Sequence, residues 1–503
     1  MKQLTFALLL TISLNAHTVA QRLHLRAAPD NAAVTRLEQM IPHLMTKADI
    51  PGLSIALIRD SKIIWTHAFG VTNSETKAPI NAGTVFEAAS LTKPVFAYAV
   101  LKLVDTGKLD LDTPLVKYLP GRYDVGDDPR LDQITARHVL SHTTGFPNWR
   151  PRGAEKLKIY FVPGHHFSYS GEGFVYLSKV VEKITGEPTD AFVRRTVFDP
   201  LDMKSSSLVW RNDYESLKAF THDWVGGVSG RGKPEKANAG ASLNTTVNDY
   251  ANFVIAMLKG TGLKPATARL MLTPQSTVTV AGAFNLNTPD AKLTSNVPWG
   301  LGWGLEKTAD GIAFWHWGDN GDTKAFVLAS PHSKTGLVMF ANSANGLSMI
   351  NELVRSVMGN DQPALTWLNL EQHNSYPRLL LKAIVKSDAE TVLADYRQRR
   401  PMSETPKTKD QSPKTDFVAL TEDQMNNLGY RLIRLKRFKD AIAVFKQNTV
   451  DFPQAFNTWD SLAEAYMLDG DKESAIKYYK KSLELNPDNT NAVQKLKELG
   501  AVN

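Results

Sequence analysis

The sequence contains no cysteine. That excludes disulfides, thiol nucleophiles, cysteine-held metals and a lipidated cysteine together, so the fold has to rest on its apolar core. Past the amino-terminal segment, no stretch approaches the ~18 apolar residues that a membrane span needs. A concentrated basic tract is missing too, and a net charge of +7 spread over 503 residues reads as a solvated surface with no nucleic-acid motif. The hydrophobic fraction of 43% and charged fraction of 22% are those of a globular chain, and the length implies more than one domain.

The chain opens on Met1-Lys2 and an apolar core from Leu4 to Leu14, with small residues at Thr18-Val19-Ala20 before Gln21. This is the pattern of a secretory signal over residues 1–20, too short for a good span, and it predicts an exported, periplasmic or secreted protein.

From Asn31 to Lys47 the positions of Val34, Leu37, Met40, Ile41 and Leu44 trace one helical face, with a kink or break expected at Pro42. Residues 52–59 and 62–70 read as two strands joined by a tight Asp60-Ser61 turn. Helical signals dominate from 90 to about 257, clearest over 136–141, 174–185 and 247–258. Strand signals return at 302–305, 312–317, 324–329 and 336–341, followed by a helix over about 343–358. A hairpin early, a meander late and helices between predict an α+β domain over 21–360, with one antiparallel sheet flanked by helices and a mainly helical lobe.

Ser90-Leu91-Thr92-Lys93 opens a helical stretch long and apolar enough to be buried, closed by Asp105-Thr106-Gly107. Three residues apart on a helix, Ser90 and Lys93 are neighbours, and a desolvated lysine can give up its proton and serve as base to the serine. The same S-x-x-K string occurs at Ser74/Lys77 and Ser474/Lys477, but only Ser90 precedes a buried helix. Further along, Tyr169 precedes a helical segment and His316 ends a strand. His138 and His142 are spaced as ligands on a helical face, without a third ligand. Trp149, Trp224, Trp299 and Trp303 read first as core and second as pocket lining.

Ser90-Leu91-Thr92-Lys93, Tyr169-Ser170-Gly171 and His316-Trp317-Gly318, in that order and spacing, resemble the three motifs of the serine β-lactamase and penicillin-binding-protein superfamily. The group of class C β-lactamase-related esterases and D-amino-acid peptidases is the nearest in pattern, and Ser141-His142-Thr143-Thr144-Gly145 is similar to a segment common there. The resemblance implies a β-lactamase/transpeptidase-like fold, no cofactor, no metal, and a small ester or peptide-like substrate. Ser90 would be acylated, Lys93 would deprotonate it, Tyr169 would carry protons to the leaving group, and His316 would orient Tyr169 or meet the substrate. Gly171, Trp317, Gly318 and Asp319 would border the substrate, with the N–H groups of Ser90 and Asp319 forming an oxyanion hole. One departure matters: the second motif usually ends in asparagine, and here it ends in Gly171, with Glu172 or water as substitutes. That weighs against β-lactamase or D-Ala-D-Ala carboxypeptidase activity more than against ester hydrolysis.

The carboxy-terminal part repeats. Leu428, Gly429, Leu432, Ala441, Phe445 and Pro453 recur 34 residues on as Leu462, Ala463, Tyr466, Ala475, Tyr479 and Pro487. This resembles tetratricopeptide repeats, which implies a small all-α domain over 421–503, capped by a helix at 491–499. Residues 361–420 are expected to be a helical extension and linker, with 399–415 exposed. A protein partner or self-association through the repeats is implied, and a binding protein with little turnover is the alternative to an enzyme.

Overall fold

The computed structural model describes residues 30–121, 123–151, 154–287, 292–359, 362–403 and 419–501. The expected signal at 1–20 lies outside the described residues. Among those described, no helix is long and apolar enough to cross a membrane. Contacts divide the chain into two compact units, Met1–Gln372 and His373–Asn503.

In the first unit, β1 (Gly52–Arg59) and β2 (Lys62–Gly70) form the expected hairpin. Asp60 and Ser61, with φ of 48° and 54°, give the left-handed two-residue turn whose twist suits a hairpin. Two short ladders follow. β3 (Phe86–Ala89) pairs with β6 (Leu243–Thr245), and β4 (Thr221–His222) with β5 (Val228–Gly230). The main sheet is completed by β7 (Ser276–Thr279), β8 (Leu293–Trp299), β9 (Gly304–Thr308), β10 (Gly311–Asp319), β11 (Lys324–Ser330) and β12 (Thr335–Ala341). Its eight strands run in the order β2-β1-β12-β11-β10-β9-β8-β7, so both ends of the unit meet where β1 pairs antiparallel with β12.

Alternation on β1 sorts the core. Leu53, Ile55 and Leu57 face a layer that includes Leu37, Ile41 and Leu44 of α1 (Asp30–Ala48), while Ala56 and Ile58 face a cluster built on α2 (Thr92–Asp105), α3 (Gly171–Thr185) and α4 (Val247–Lys259). The layer behind α1 is closed by α5 (Ile350–Met358). Helices therefore cover both faces of the central strands, which explains why those strands read as nearly unbroken apolar runs.

Several expectations need correction. The first helix runs unbroken through Pro42, because Leu37, Ile41, Leu44 and Met45 are buried on both sides of it and packing overrides the lost hydrogen bond. Gly302 lies in the turn before β9, with Gly300 N–H donating to the Trp303 carbonyl at 2.8 Å, so the strand starts two residues late. Strands β7 and β8 were not foreseen. The helix at 136–140 ends before His142, whose φ is 56°, and His138 instead closes a capping box with Thr135, so the two histidines do not share a helical face.

The second unit stacks α6 (Tyr376–Lys386) on α7 (Ala389–Ser403), α8 (Glu422–Arg434) on α9 (Phe438–Asp451), and α10 (Phe456–Asp469) on α11 (Lys472–Leu485), with α12 (Thr490–Glu498) as cap. Three helix pairs meet the usual need of a repeat stack for about three units. Residues 399–403, expected as linker, belong to α7, which is anchored by buried Leu393 and Tyr396. Gly429 shows why the repeat wants a small residue: a Cβ there would collide with the Phe445 ring.

Candidate active site

Ser90 stands half-buried in the turn between β3 and α2. The turn is tightly held. Ala89 has φ of 49°, a left-handed conformation that costs a non-glycine residue energy, and the Thr92 hydroxyl donates to the Ala89 carbonyl at 2.6 Å while accepting from Leu243 N–H at 2.9 Å. Strain of this kind survives only where neighbours over-determine it, as β6 does here through Leu243.

Lys93 is fully buried, and its Nζ lies 3.1 Å from Ser90 Oγ and 2.8 Å from the carbonyl oxygen of Gly240. Burial alone draws its pKa down from 10.5 to about 7. At neutral pH a large share of Lys93 is therefore an amine, with an N–H for Gly240 and a lone pair for the serine proton.

The Tyr169 ring lies 4.6 Å from Lys93 Nζ, and the nearby Ser90 side chain opposes part of the effect of burial on its phenol. Its pKa is pushed far up by burial, so the phenol stays protonated and is an acid, not a standing base. His316 Nε2 faces the same hydroxyl at 3.5 Å, while Nδ1 meets the Trp317 carbonyl at 2.7 Å, which puts the proton on Nδ1 and leaves Nε2 to accept. Burial first and Lys93 second draw the His316 pKa down to about 3, keeping it neutral.

Gly318 brings β10 against β3: a Cβ there would collide with the Ala88 carbonyl oxygen. This close approach sets the backbone at Gly318-Asp319 beside the strand that leads into Ser90. The Asp319 carboxylate pairs with Lys324. Trp317 is half-buried with its ring 4.9 Å from that of Tyr169.

Gly171 is the first residue of α3, and both the side chain and the carbonyl of Asn148 take its N–H at 3.0 Å. Glu172, expected as a stand-in for the missing asparagine, is instead bound by Arg150 through Nε at 3.1 Å and Nη2 at 3.0 Å. The polar partner for Lys93 comes from the Gly240 carbonyl, which no sequence motif marks.

Two further side chains belong to the site. His142 is fully buried, accepts from Ser170 N–H at 3.0 Å through Nδ1, and stacks on Tyr169 with ring centroids 4.2 Å apart and planes at 28°. Trp149 lies with its ring centroid 5.7 Å from Lys93 Nζ, whereas Trp299 and Trp303 are core and fully buried. The other two S-x-x-K strings lie elsewhere: Ser74 N–H donates to His222, and Ser474 N–H to the cap residue Asp471.

A serine with a desolvated lysine at hydrogen-bond distance and a protonated phenol over both, set between an antiparallel sheet and a helical lobe, defines the β-lactamase-fold serine hydrolases. Residues 37–355 match the Beta-lactamase family, and the chain belongs to it; residues 456–489 match the tetratricopeptide repeat. Protein flp of Staphylococcus aureus is 22% identical over 331 residues, which are 62% of this chain and 64% of that protein. Esterase EstB of Burkholderia gladioli is 30% identical over 204 residues, 35% of this chain and 51% of EstB. The chain thus spans less than two thirds of the length of either relative. A solved class C β-lactamase superposes with a TM-score of 0.57 at 18% identity, covering 67% of this chain and 98% of its own, a likeness of fold alone.

Proposed function

We propose that this chain hydrolyses an ester of a small molecule through an acyl-enzyme on Ser90. The observation that carries the reading is Lys93: fully buried, its pKa drawn to about 7, and 3.1 Å from Ser90 Oγ. In acylation the Lys93 lone pair takes the Ser90 proton as Oγ bonds the carbonyl carbon. The Ser90 and Asp319 N–H groups receive the oxyanion, and Tyr169 gives its proton to the departing alkoxide, which leaves as the alcohol. Lys93 then returns a proton to Tyr169. In deacylation water loses a proton to the restored amine, its oxygen bonds the acyl carbon, Ser90 leaves with a proton from Tyr169, and Lys93 again returns a proton to Tyr169. Neutral His316, with Nε2 3.5 Å from the phenol oxygen, is a resting partner that the Tyr169 proton leaves when it is passed to the alkoxide.

Support for an ester over a β-lactam or D-amino-acid amide comes from Gly171, which offers a substrate neither a side-chain amide nor a free N–H. The likeness to EstB over the matched segment points the same way. Exposure of purified protein to a serine-reactive phosphonate, followed by intact mass, tests the reading: one adduct, lost in Ser90→Ala, is expected together with turnover of a short-chain nitrophenyl ester. A folded protein with neither adduct nor turnover overturns it.

Export through residues 1–20 is part of the same proposal, checked by a mature amino terminus at Gln21. A protein-binding role for the repeats has its own support. Trp459, Tyr478 and Tyr466 stack in a row, with centroids 5.9 and 5.5 Å apart, and Lys446 sits over Tyr466. Stacked rings of this kind offer a partner a flat, rigid, largely apolar face.

A further inference from the structure

Residue 171 has no side chain, yet the space beside its Cα is filled. A Cβ built on Gly171 would meet Cη2, Cζ2 and Cζ3 of Trp149 at 2.5, 2.7 and 2.8 Å. A Cβ on Gly240 would meet Cη2 of the same ring at 3.1 Å. The indole therefore lies flat across two glycines, one beginning α3 and the other holding Lys93 through its carbonyl. Only residues without side chains admit it there.

The ring is fixed from both sides of the chain. Asn148 accepts from the N–H groups of Gly171 and Glu172, each at 3.0 Å, and Arg150 is bound to the buried Glu172 carboxylate and to Asp124. Clamped at the residues before and after it, Trp149 has little freedom to leave. It is nonetheless 43% exposed. A ring held rigidly beside a catalytic lysine, with nearly half its surface in water, has an apolar face still to cover.

Taking the hydrolase reading as its basis, we propose that Trp149 is a specificity-determining residue whose indole face carries the acyl group of the substrate and selects an unsubstituted apolar chain. The direction follows from the division of labour around Ser90. Tyr169 protonates the leaving oxygen, so the alcohol side belongs to Tyr169, with Trp317 and the exposed Phe284 ring beside it. Trp149, lying by Lys93, Gly171 and Gly240, is left for the acyl side. An acyl amide would find no partner on an indole face and would lose its hydration there, whereas a methylene chain gains by burial.

The test is a ratio. Two added methylenes laid on a ring are worth about tenfold in binding. With nitrophenyl acetate and butyrate, Trp149→Ala is expected to lower the butyrate-to-acetate ratio of kcat/KM about tenfold, with the loss appearing in KM, and Trp149→Phe to lower it less. Gly171→Ala approaches from the opposite side: its methyl displaces the ring, and the ratio is expected to fall again without any change at Trp149. Equal loss on both esters in Trp149→Ala and Gly171→Ala overturns the platform and makes the ring a structural brace. Should the alanine variant not fold, Trp149→Phe and Gly171→Ala decide by the same ratio. A wild-type protein that forms no phosphonate adduct and cleaves neither ester overturns the hydrolase reading, and this inference with it; esters cleaved with an unchanged ratio overturn this inference alone.

Discussion

Lys93 Nζ lies 2.8 Å from the carbonyl oxygen of Gly240, a residue 147 positions further along the chain. That contact joins α2 to the segment before β6 and gives the lysine its polar partner without giving it a negative charge. A carboxylate in the same place would hold Lys93 as an ammonium. A neutral carbonyl lets burial win, and the amine is available near neutral pH.

The first expected outcome concerns pH. For a short-chain ester, kcat/KM rises with a single limb near pH 7 as Lys93 loses its proton. His316 is already neutral over that range and adds no limb. No fall follows until the solution is strongly alkaline, because burial holds the Tyr169 phenol protonated. A bell centred below pH 7 would assign the base elsewhere. Lys93→Met removes the base and is expected to lower kcat/KM by about 10³-fold, within the usual range for general-base loss.

The same burial predicts a stability effect with a definite sign. In the unfolded chain Lys93 titrates near 10.5 and in the folded chain near 7. Between those values the unfolded state binds the extra proton, so native stability rises with pH across the window, and below it the full penalty is felt. Lys93→Met removes that penalty. The melting-temperature difference between variant and wild type is therefore expected to be several degrees more favourable at pH 6 than at pH 10. The Gly240 carbonyl loses its donor equally at both, so the difference isolates the lysine. A pH-independent offset would mean that Lys93 stays charged in the fold.

Ser90 and Lys93 are legible in sequence as a pair at the start of an apolar helix, whereas Tyr169 and His316 are picked out only by the resemblance of their motifs, and the structure brings the four together. Trp149 and Gly240 are marked in neither way. Their role depends on where chain segments far apart come together, and a backbone carbonyl carries no residue signature at all. Strands β7 and β8 escape for a different reason. β7 has only four residues, and β8 carries Pro298, which argues against a strand inside a sheet. Pro42 fails in the opposite direction: a strong local breaker is overruled by Leu37, Ile41 and Leu44 packing on the sheet.

Gly318 is expected to be intolerant of even one carbon. A methyl there meets the Ala88 carbonyl oxygen, which cannot move without shifting Ala89 and Ser90. Gly318→Ala should cost about 1–3 kcal/mol, as overpacking does, and lower kcat/KM well beyond what that loss explains. Urea melts alongside ester kinetics measure both. Wild-type turnover in the variant would separate β10 from the alignment of the nucleophile.

The last prediction concerns the boundary at Gln372 and His373. All the groups assigned chemistry, from Ser90 to Asp319, lie in the first unit, and the pairing of β1 with β12 joins the two ends of that unit in one sheet. A chain ending at Gln372 is expected to fold and to keep kcat/KM for a short-chain ester within about twofold, the range of an effect under half a kcal/mol. The repeat unit is expected to respond on its own to Gly429→Ala, whose methyl pushes against the Phe445 ring and should lower its melting transition while leaving ester turnover untouched. A truncated chain that is folded by circular dichroism yet inactive would mean that the repeats complete the site.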